Sequence, residues 1–578
     1  MTKQFQLLIL KLFKIKILLT FFVILFSLPL KAENNKKPCF KNTDFNTNEL
    51  ELPYKISVKV NKNKTFQINN LKIITSEGLL MKKRFKKRFS GKVKLFYNDK
   101  ICEFKATIRV HGDFKDHVKF VKGNINQSLD IHLKEGNING ITKFKLFLPE
   151  TRNNPDEEIL ITEIFRSLDV LAPRTFFINV DNQSNNYLAL FQEKTEKEFL
   201  EFNNRKESVI LEGDERFIFD VDDNNFGWKS KLISLARISN DNLFDKSNIY
   251  KEILLNSLSN LNKFYLSSKN YYQHYGNYDY VSSKLNDHYL DKSSFFSQKV
   301  KFSIFNSLIF ATNAQHALVP HNRKFYWNKE YQTFEPIYYD GNININKELD
   351  INSFPKKELF FDNIKKTLDL LNTLDNKSLT KKIAKNFNVV EVDINQINLK
   401  IDKIKSNLSN ILYSDISKTK FETINELDYY INNFQNYLER INKNKIVPVF
   451  TDRELNNFYT CSYDFCNLIK LDENEFKLLI SGNLKKNDIF YQFVGIKEIK
   501  DKKIIKKEVQ LISNHEIIDY QNSKIIYDKK QYLIKELLPN LIEIKQLIPN
   551  SRIMLVGGSL ESLKILANFI PQPKNSNE

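Results

Sequence analysis

From Tyr54 to Val110 the chain alternates apolar and polar residues in four short runs, YKISVKV, KTFQI, KVKLFY and CEFKATIRV. Alternation with period two sends every second side chain to one face, which specifies antiparallel strands with one buried side. Residues 53 to 110 are therefore expected to form a small β-rich module. The pattern resumes at Ser128 in SLDIHLKEGNINGITKFKLFL, where Gly136 and Gly140 punctuate two more strand-like runs. A helix is expected next. Asn154 is placed to cap it, Pro155 suits its first position, and Asp156, Glu157 and Glu158 favour the positive end of its dipole. Ile161, Ile164, Phe165 and Leu168 supply its apolar face, and the strand-like runs TFFINV and NYLALFQEK follow.

Beyond these, residues 210 to 345 mix helical runs such as YKEILLNSLSNLNKF with strands. Helical periodicity dominates 352 to 445, as in LFFDNIKKTLDLLNTL and INELDYYINNFQNYLERI. After Pro448 short β-like runs return, DIFYQFVGI, KKEVQLI and SKIIYD, before RIMLVGGSLESLKIL near the end. No internal repeat is evident. A chain of 578 residues suits about three to four domains. Its expected division is a signal peptide or anchor (1–32), a β-rich N-terminal module (33–110), a core (111–345), a helical lobe (346–445) and a C-terminal β-containing domain (446–578).

Hydrophobic residues at 42%, charged residues at 27% and a mean hydropathy of -0.43 exclude wholesale disorder and a polytopic membrane protein. The formal charge of +19 raises the question of nucleic acid. Lys, Asn, Ile and Phe are enriched throughout rather than along one stripe, which reads as codon bias, and no nucleic-acid partner is expected. At the N-terminus Lys3, Lys11, Lys14 and Lys16 precede the apolar run ILLTFFVILFSLPL, the layout of a secretory signal. That run is short for a spanning helix, which needs roughly 20 residues, although an uncleaved segment would tie the chain to a membrane. We therefore expect an exported protein of the periplasm or cell envelope. Four cysteines suit an oxidising compartment, with Cys461 and Cys466 close enough to pair locally and Cys39 with Cys102 as the other pair, among three connectivities.

Motifs for P-loop NTPases, α/β-hydrolases and zincins are absent. The acidic run DVDDNN (220–225) opens like a calcium loop, but Asn225 replaces the turn glycine and Lys231 stands where the bidentate Glu belongs. The run HGDFKDH offers His111, Asp113, Asp116 and His117 as candidate ligands for a divalent metal. If His316, His321 and Asp340 converged on them, a metal-dependent enzyme would result, binding Zn2+ or Mn2+ without nucleotide.

Three collinear blocks remain: Lys143 to Val180, Asn186 to Glu201, and Ala311 to Asn342. They hold Ala172-Pro173-Arg174, then Glu193-Lys194, then Asn322 with Tyr326, and Pro336 through Asp340. In order and spacing they resemble the CotH kinase-like family of exported atypical protein kinases, over roughly residues 105 to 345. The resemblance implies an α+β, atypical protein-kinase-like core that binds ATP with Mg2+ (or Mn2+) and transfers a phosphoryl group to an envelope or secreted protein, or to a surface glycan. It implies Asp340 and Asn322 as metal ligands and Glu193 as the carboxylate that fixes a phosphate-contacting lysine, Lys145 first and Lys134 second. The pattern also departs from the family. ATNAQHALVPHN carries no Asp or Glu where the family places its catalytic carboxylate, leaving His316 or His321 as the base. Asn342 replaces the second aspartate of the metal element, and the arginine-glycine element near residue 110 reads Arg109-Val110-His111-Gly112. A catalytically degraded pseudokinase or envelope scaffold is the alternative.

Overall fold

A computed structural model describes residues 51–214, 235–266, 296–318, 322–349, 361–413, 446–461 and 466–500, apart from 99, 122, 184, 241–242, 244–247 and 498, with three strand pieces between 503 and 533. The expected signal segment, Cys39, the calcium-like run, His321 and the runs INELDYYINNFQNYLERI, KKEVQLI and RIMLVGGSLESLKIL lie outside the described residues.

The first unit runs β1 (Lys55–Val60), α1 (Asn63–Thr75), β2 (Phe89–Phe96), β3 (Ile101–Val110), β4 (Val118–Val121), β5 (Asn124–Gln127), β6 (Leu129–Leu133), β7 (Lys143–Phe147), α2 (Pro155–Ser167), β8 (Thr175–Asp181) and β9 (Asn186–Glu193). Seven strands close into a barrel in the order β1-β2-β3-β6-β7-β9-β8. All neighbours are antiparallel except the closing pair, where β1 runs parallel to β8 with Lys55 opposite Asn179. The alternation does its expected work. Val58, Leu95, Ile108, Ile131, Phe144, Leu146 and Phe191 fill the interior, and residues between them on each strand face out.

Two expectations change. The run KTFQI belongs to α1, whose buried residues Phe66, Asn69, Asn70 and Ile73 have helical spacing. The division at residue 110 falls inside the barrel, because β6 pairs with β3 and continues the same sheet.

The chain continues through α3 (Lys197–Phe202), β10 (Ile210–Gly213), β11 (Ala236–Ile238), α4 (Asn248–Leu266), α5 (Phe296–Ala311), β12 (Lys324–Asn328) and β13 (Thr333–Ile337). These four strands form a sheet in the order β11-β10-β12-β13. Helices α6 (Phe361–Thr373), α7 (Asn376–Phe387) and α8 (Ile394–Tyr413) follow, within the stretch expected to be helical. They pack with α2 and α5 around Phe165, Leu308, Ile364, Ile383 and Ile404. Last come β14 (Ile446–Thr451), β15 (Phe458–Cys461), β16 (Cys466–Ile469), α9 (Glu473–Ile480), β17 (Lys485–Lys486) and β18 (Ile489–Ile496), a five-stranded sheet that shares one apolar core with α4, β11 and β12. The whole is α+β. Cys461 and Cys466 form the expected local disulfide, Cys102 is also disulfide-bonded, and no described cysteine is free. No described helix is long and apolar enough to cross a membrane.

Candidate functional site

On β7 the residues that do not fill the barrel face outwards, and they are Lys143, Lys145 and Phe147. Cross-strand register sets Lys145 in a row with Arg109, Asp130, Gln192 and Thr175. Its ammonium lies 3.0 Å from the Tyr339 hydroxyl and 4.9 Å from the centre of that ring. It forms no ion pair with a described carboxylate, since Asp130 is engaged by Arg109 and Arg88. The Phe147 ring is a shelf. The Arg152 guanidinium sits 4.3 Å from its centre, with the rings of His111 and His117 at 5.1 and 6.2 Å.

The third wall is the segment after β13. The Tyr338 backbone N–H donates to Leu171 O at 2.8 Å, and its hydroxyl donates to Glu158 on α2 at 2.8 Å. Glu157 accepts from the Ile345 N–H at 2.8 Å, and the Asn154 amide donates to Ile343 O at 2.7 Å instead of capping the helix. The start of α2 thus holds this segment at both ends. Between these ties Asp340 adopts φ +50 and Asn342 φ +54, left-handed conformations that cost energy outside glycine and cluster at functional sites. Gly341 is required by close approach, as a Cβ there would lie 2.6 Å from the Tyr338 hydroxyl. The strained turn delivers the Asp340 carboxylate to Arg152, and the two form an ion pair. Arg152 Nε is buried without a hydrogen-bond partner.

Positive potential governs this place. Burial pushes the Tyr339 hydroxyl pKa up, yet Lys145, Lys324 and Arg152 outweigh burial and bring it below the ordinary tyrosine value. Burial, Lys145 and Arg152 hold His111 well below the usual histidine value. His117 falls to about 3, through burial first and then Arg152. Lys324, 4.4 Å from the Tyr339 ring centre, is matched by Glu212. Glu158 is buried and its pKa is raised by desolvation, with the Arg152 charge acting against that rise.

The structure brings Lys145, Asn322, His316 and Asp340 into one neighbourhood, but not with the expected contacts. Glu193 lies opposite Phe144, in the row that faces the barrel interior, and its carboxylate takes Arg174 Nε at 2.8 Å and a second Arg174 nitrogen. The arginine of Ala172-Pro173-Arg174 and the glutamate of Glu193-Lys194 are therefore partners of each other, and Glu193 does not fix Lys145. Lys134 is exposed beyond the end of β6, four residues past the position opposite Lys145. His316 is not a free base. Its Nδ1 is 2.8 Å from the Asp340 carbonyl and 2.7 Å from the Asn322 amide nitrogen. The Asn322 amide nitrogen lies 3.2 Å from Nε2, and burial lowers the imidazole pKa to about 4.

The residues present do not fit magnesium. A divalent cation of this type wants oxygen ligands around it, whereas the Asp340 carboxylate already faces a guanidinium and the Asn322 amide nitrogen is turned to His316. Among the described residues no three His, Cys, Asp or Glu side chains converge to hold a metal. This also removes the described part of the alternative metal site. The His117 Nδ1 faces Ser128 Oγ at 2.9 Å and Asp113 pairs with Lys86. Gly112, at φ +109, has no Cβ to strike the His117 ring, which would lie 2.1 Å away. The cluster is a packed corner of the same site.

Arg152, Glu158 and Tyr339 are site residues that no motif in the sequence marks as such. Glu158 carried a usable signal, because it stands three and seven residues before Ile161 and Phe165 and so shares the apolar stripe of α2.

No family model matches the chain, and neither does any curated protein. Among solved structures, a chain of the Shewanella oneidensis MR-1 toxin–antitoxin complex of HipA, HipB and operator DNA aligns with 70% of this chain and 73% of its own length. Identity is 12% and the TM-score 0.19, a likeness too loose to carry an argument.

Proposed function

We propose that this chain is an exported, CotH-like protein that receives the phosphate tail of ATP at Lys145 and Arg152, and that it binds nucleotide in the cell envelope without a completed phosphoryl-transfer centre. The observation that carries the reading is the unspent donor capacity at one point. Lys145 meets the Tyr339 hydroxyl and two aromatic rings but no described carboxylate, and Arg152, over the same Phe147 ring, keeps a buried, unpartnered Nε. A polyphosphate supplies the acceptors both groups lack, and charge-assisted bonds of this kind are among the strongest available to a protein. The cations that lower the Tyr339 pKa supply the matching potential.

Transfer chemistry is what the site lacks. Phosphoryl transfer needs a group that orients the acceptor hydroxyl; His316 is held at both nitrogens, and 311–322 offers no carboxylate. The Cys461–Cys466 disulfide supports an oxidising compartment. An envelope or secreted protein, or a surface glycan, is the partner this reading expects.

Calorimetric titration of the purified protein with ATP tests the binding. Wild-type protein is expected to bind, and Lys145→Ala to bind roughly tenfold more weakly with an unchanged melting temperature. Incubation with γ-labelled ATP and envelope extract is expected to label nothing. Label transfer that disappears in Asp340→Ala would overturn the scaffold reading in favour of the transferase.

A further inference from the structure

In a kinase-type site, divalent cations bridge an acidic side chain to the phosphate oxygens and neutralise their charge. Here the acidic side chain is Asp340, and the group in contact with it is the Arg152 guanidinium. The arginine is built in. Its side chain is 11% exposed, its guanidinium lies on the Phe147 ring at 4.3 Å, and Asp340 is presented to it by a left-handed backbone between Tyr338 and Gly341. A guanidinium carries five donors in a planar fork. One edge is spent on Asp340, and Nε remains without a partner.

We infer that Arg152 occupies the place of the divalent cation, so that this site binds a di- or triphosphate tail without metal. The inference rests on the nucleotide-binding reading and deepens it. Arg152 performs both duties of the ion. It neutralises Asp340, which would otherwise repel phosphate, and it offers a second edge to the phosphate oxygens. Lys145, whose ammonium lies 5.7 Å from the centre of the same Phe147 ring, supplies the second positive charge. A divalent ion added at Asp340 would have to displace a buried guanidinium or stand against its charge, and Asn342 offers no second carboxylate to attract it. One departure from the family pattern then has this sense: at Asn342 a carboxylate that would have helped hold metal is gone, and Arg152 supplies an internal cation at Asp340.

The test is ATP binding by the purified protein in EDTA and in excess Mg2+. The expected wild-type dissociation constants agree within about threefold. Arg152→Ala is expected to lose roughly ten- to hundredfold in EDTA, the worth of charge-assisted bonds, and to recover part of it with Mg2+, because Asp340 is then free to take the ion. Asp340→Asn, which keeps the shape of the site, is expected to bind at least as tightly as wild type in EDTA. It decides the question if Arg152→Ala does not fold, as judged by its melting curve. Wild-type binding that requires Mg2+ would overturn this inference and leave nucleotide binding standing. Failure to bind ATP in both conditions would sink the nucleotide-binding reading and this inference with it.

Discussion

His111, His117 and His316 are half-buried beside cations, and all three are held below the ordinary histidine pKa, His117 at about 3 and His316 at about 4. In the unfolded chain each takes up a proton near 6.5, whereas in the folded chain each stays neutral until far lower pH. The unfolded state therefore binds more protons in that interval, and stability is lost as pH falls. Unfolding by urea is expected to require progressively less denaturant from about pH 6.5 down to about 4.5. His316→Gln should flatten that dependence by up to about 1.4 kcal/mol per pH unit. An equal slope in the variant would mean that His316 titrates normally in the folded protein. The same residues show why a metal site is suggested by the sequence but not formed in the fold. Two imidazoles and two carboxylates within seven positions have the composition of a metal site, while the surrounding positive potential, set by Lys145 and Arg152, is a property of distant parts of the chain.

Strands β8 and β9 are joined on their interior-facing side by the Arg174–Glu193 pair, with Arg174 also donating to Asn139 O at 2.6 Å and lying 4.0 Å from the centre of the Phe202 ring. Glu193 is 3% exposed. Removing one partner of a buried pair leaves the other charge uncompensated, so Arg174→Ala is expected to cost about 3–5 kcal/mol, and replacing both by apolar residues less than that. Denaturant unfolding of the two single variants and the double variant checks this, and additive losses would contradict it. Elements were legible wherever periodicity was local. Alternation found the barrel strands, and Asn154-Pro155 with three acids found α2. It failed at α1, where two of the four buried positions are asparagines and the apolar spacing is hidden. Glu193 was misassigned for a topological reason. Which face of β9 meets which face of β7 depends on β7 pairing with β9 rather than β8, and no local pattern records that.

At the scale of the molecule, the candidate site is assembled from β7, the start of α2 and the segment after β13, nearly two hundred residues apart in sequence, and only the collinear blocks hinted that they belong together. The C-terminal sheet packs against α4, β11 and β12 and contributes no residue to that assembly. Its β15–β16 hairpin is closed by Cys461–Cys466, directly opposed in register. A loop this short gains about 2 kcal/mol from its cross-link. Reduction is therefore expected to lower unfolding stability by about that amount while leaving ATP affinity unchanged, since no residue of the site lies on this sheet. Loss of binding on reduction would show that the two ends of the molecule are coupled.

The parallel seam between β1 and β8 sets an order of events during synthesis. Every other junction of the barrel joins a strand to an antiparallel neighbour, but the one bonded edge of β1 beyond β2 belongs to residues around Asn179, more than a hundred positions later. At translation rates of about 5–20 residues per second, that edge stays open for on the order of ten seconds. A nascent chain with an unpaired strand for so long invites pairing with a neighbour on the same polysome. The lysines at 55, 59, 92 and 94 that line β1 and β2 are well placed to keep such half-made barrels apart until β8 emerges.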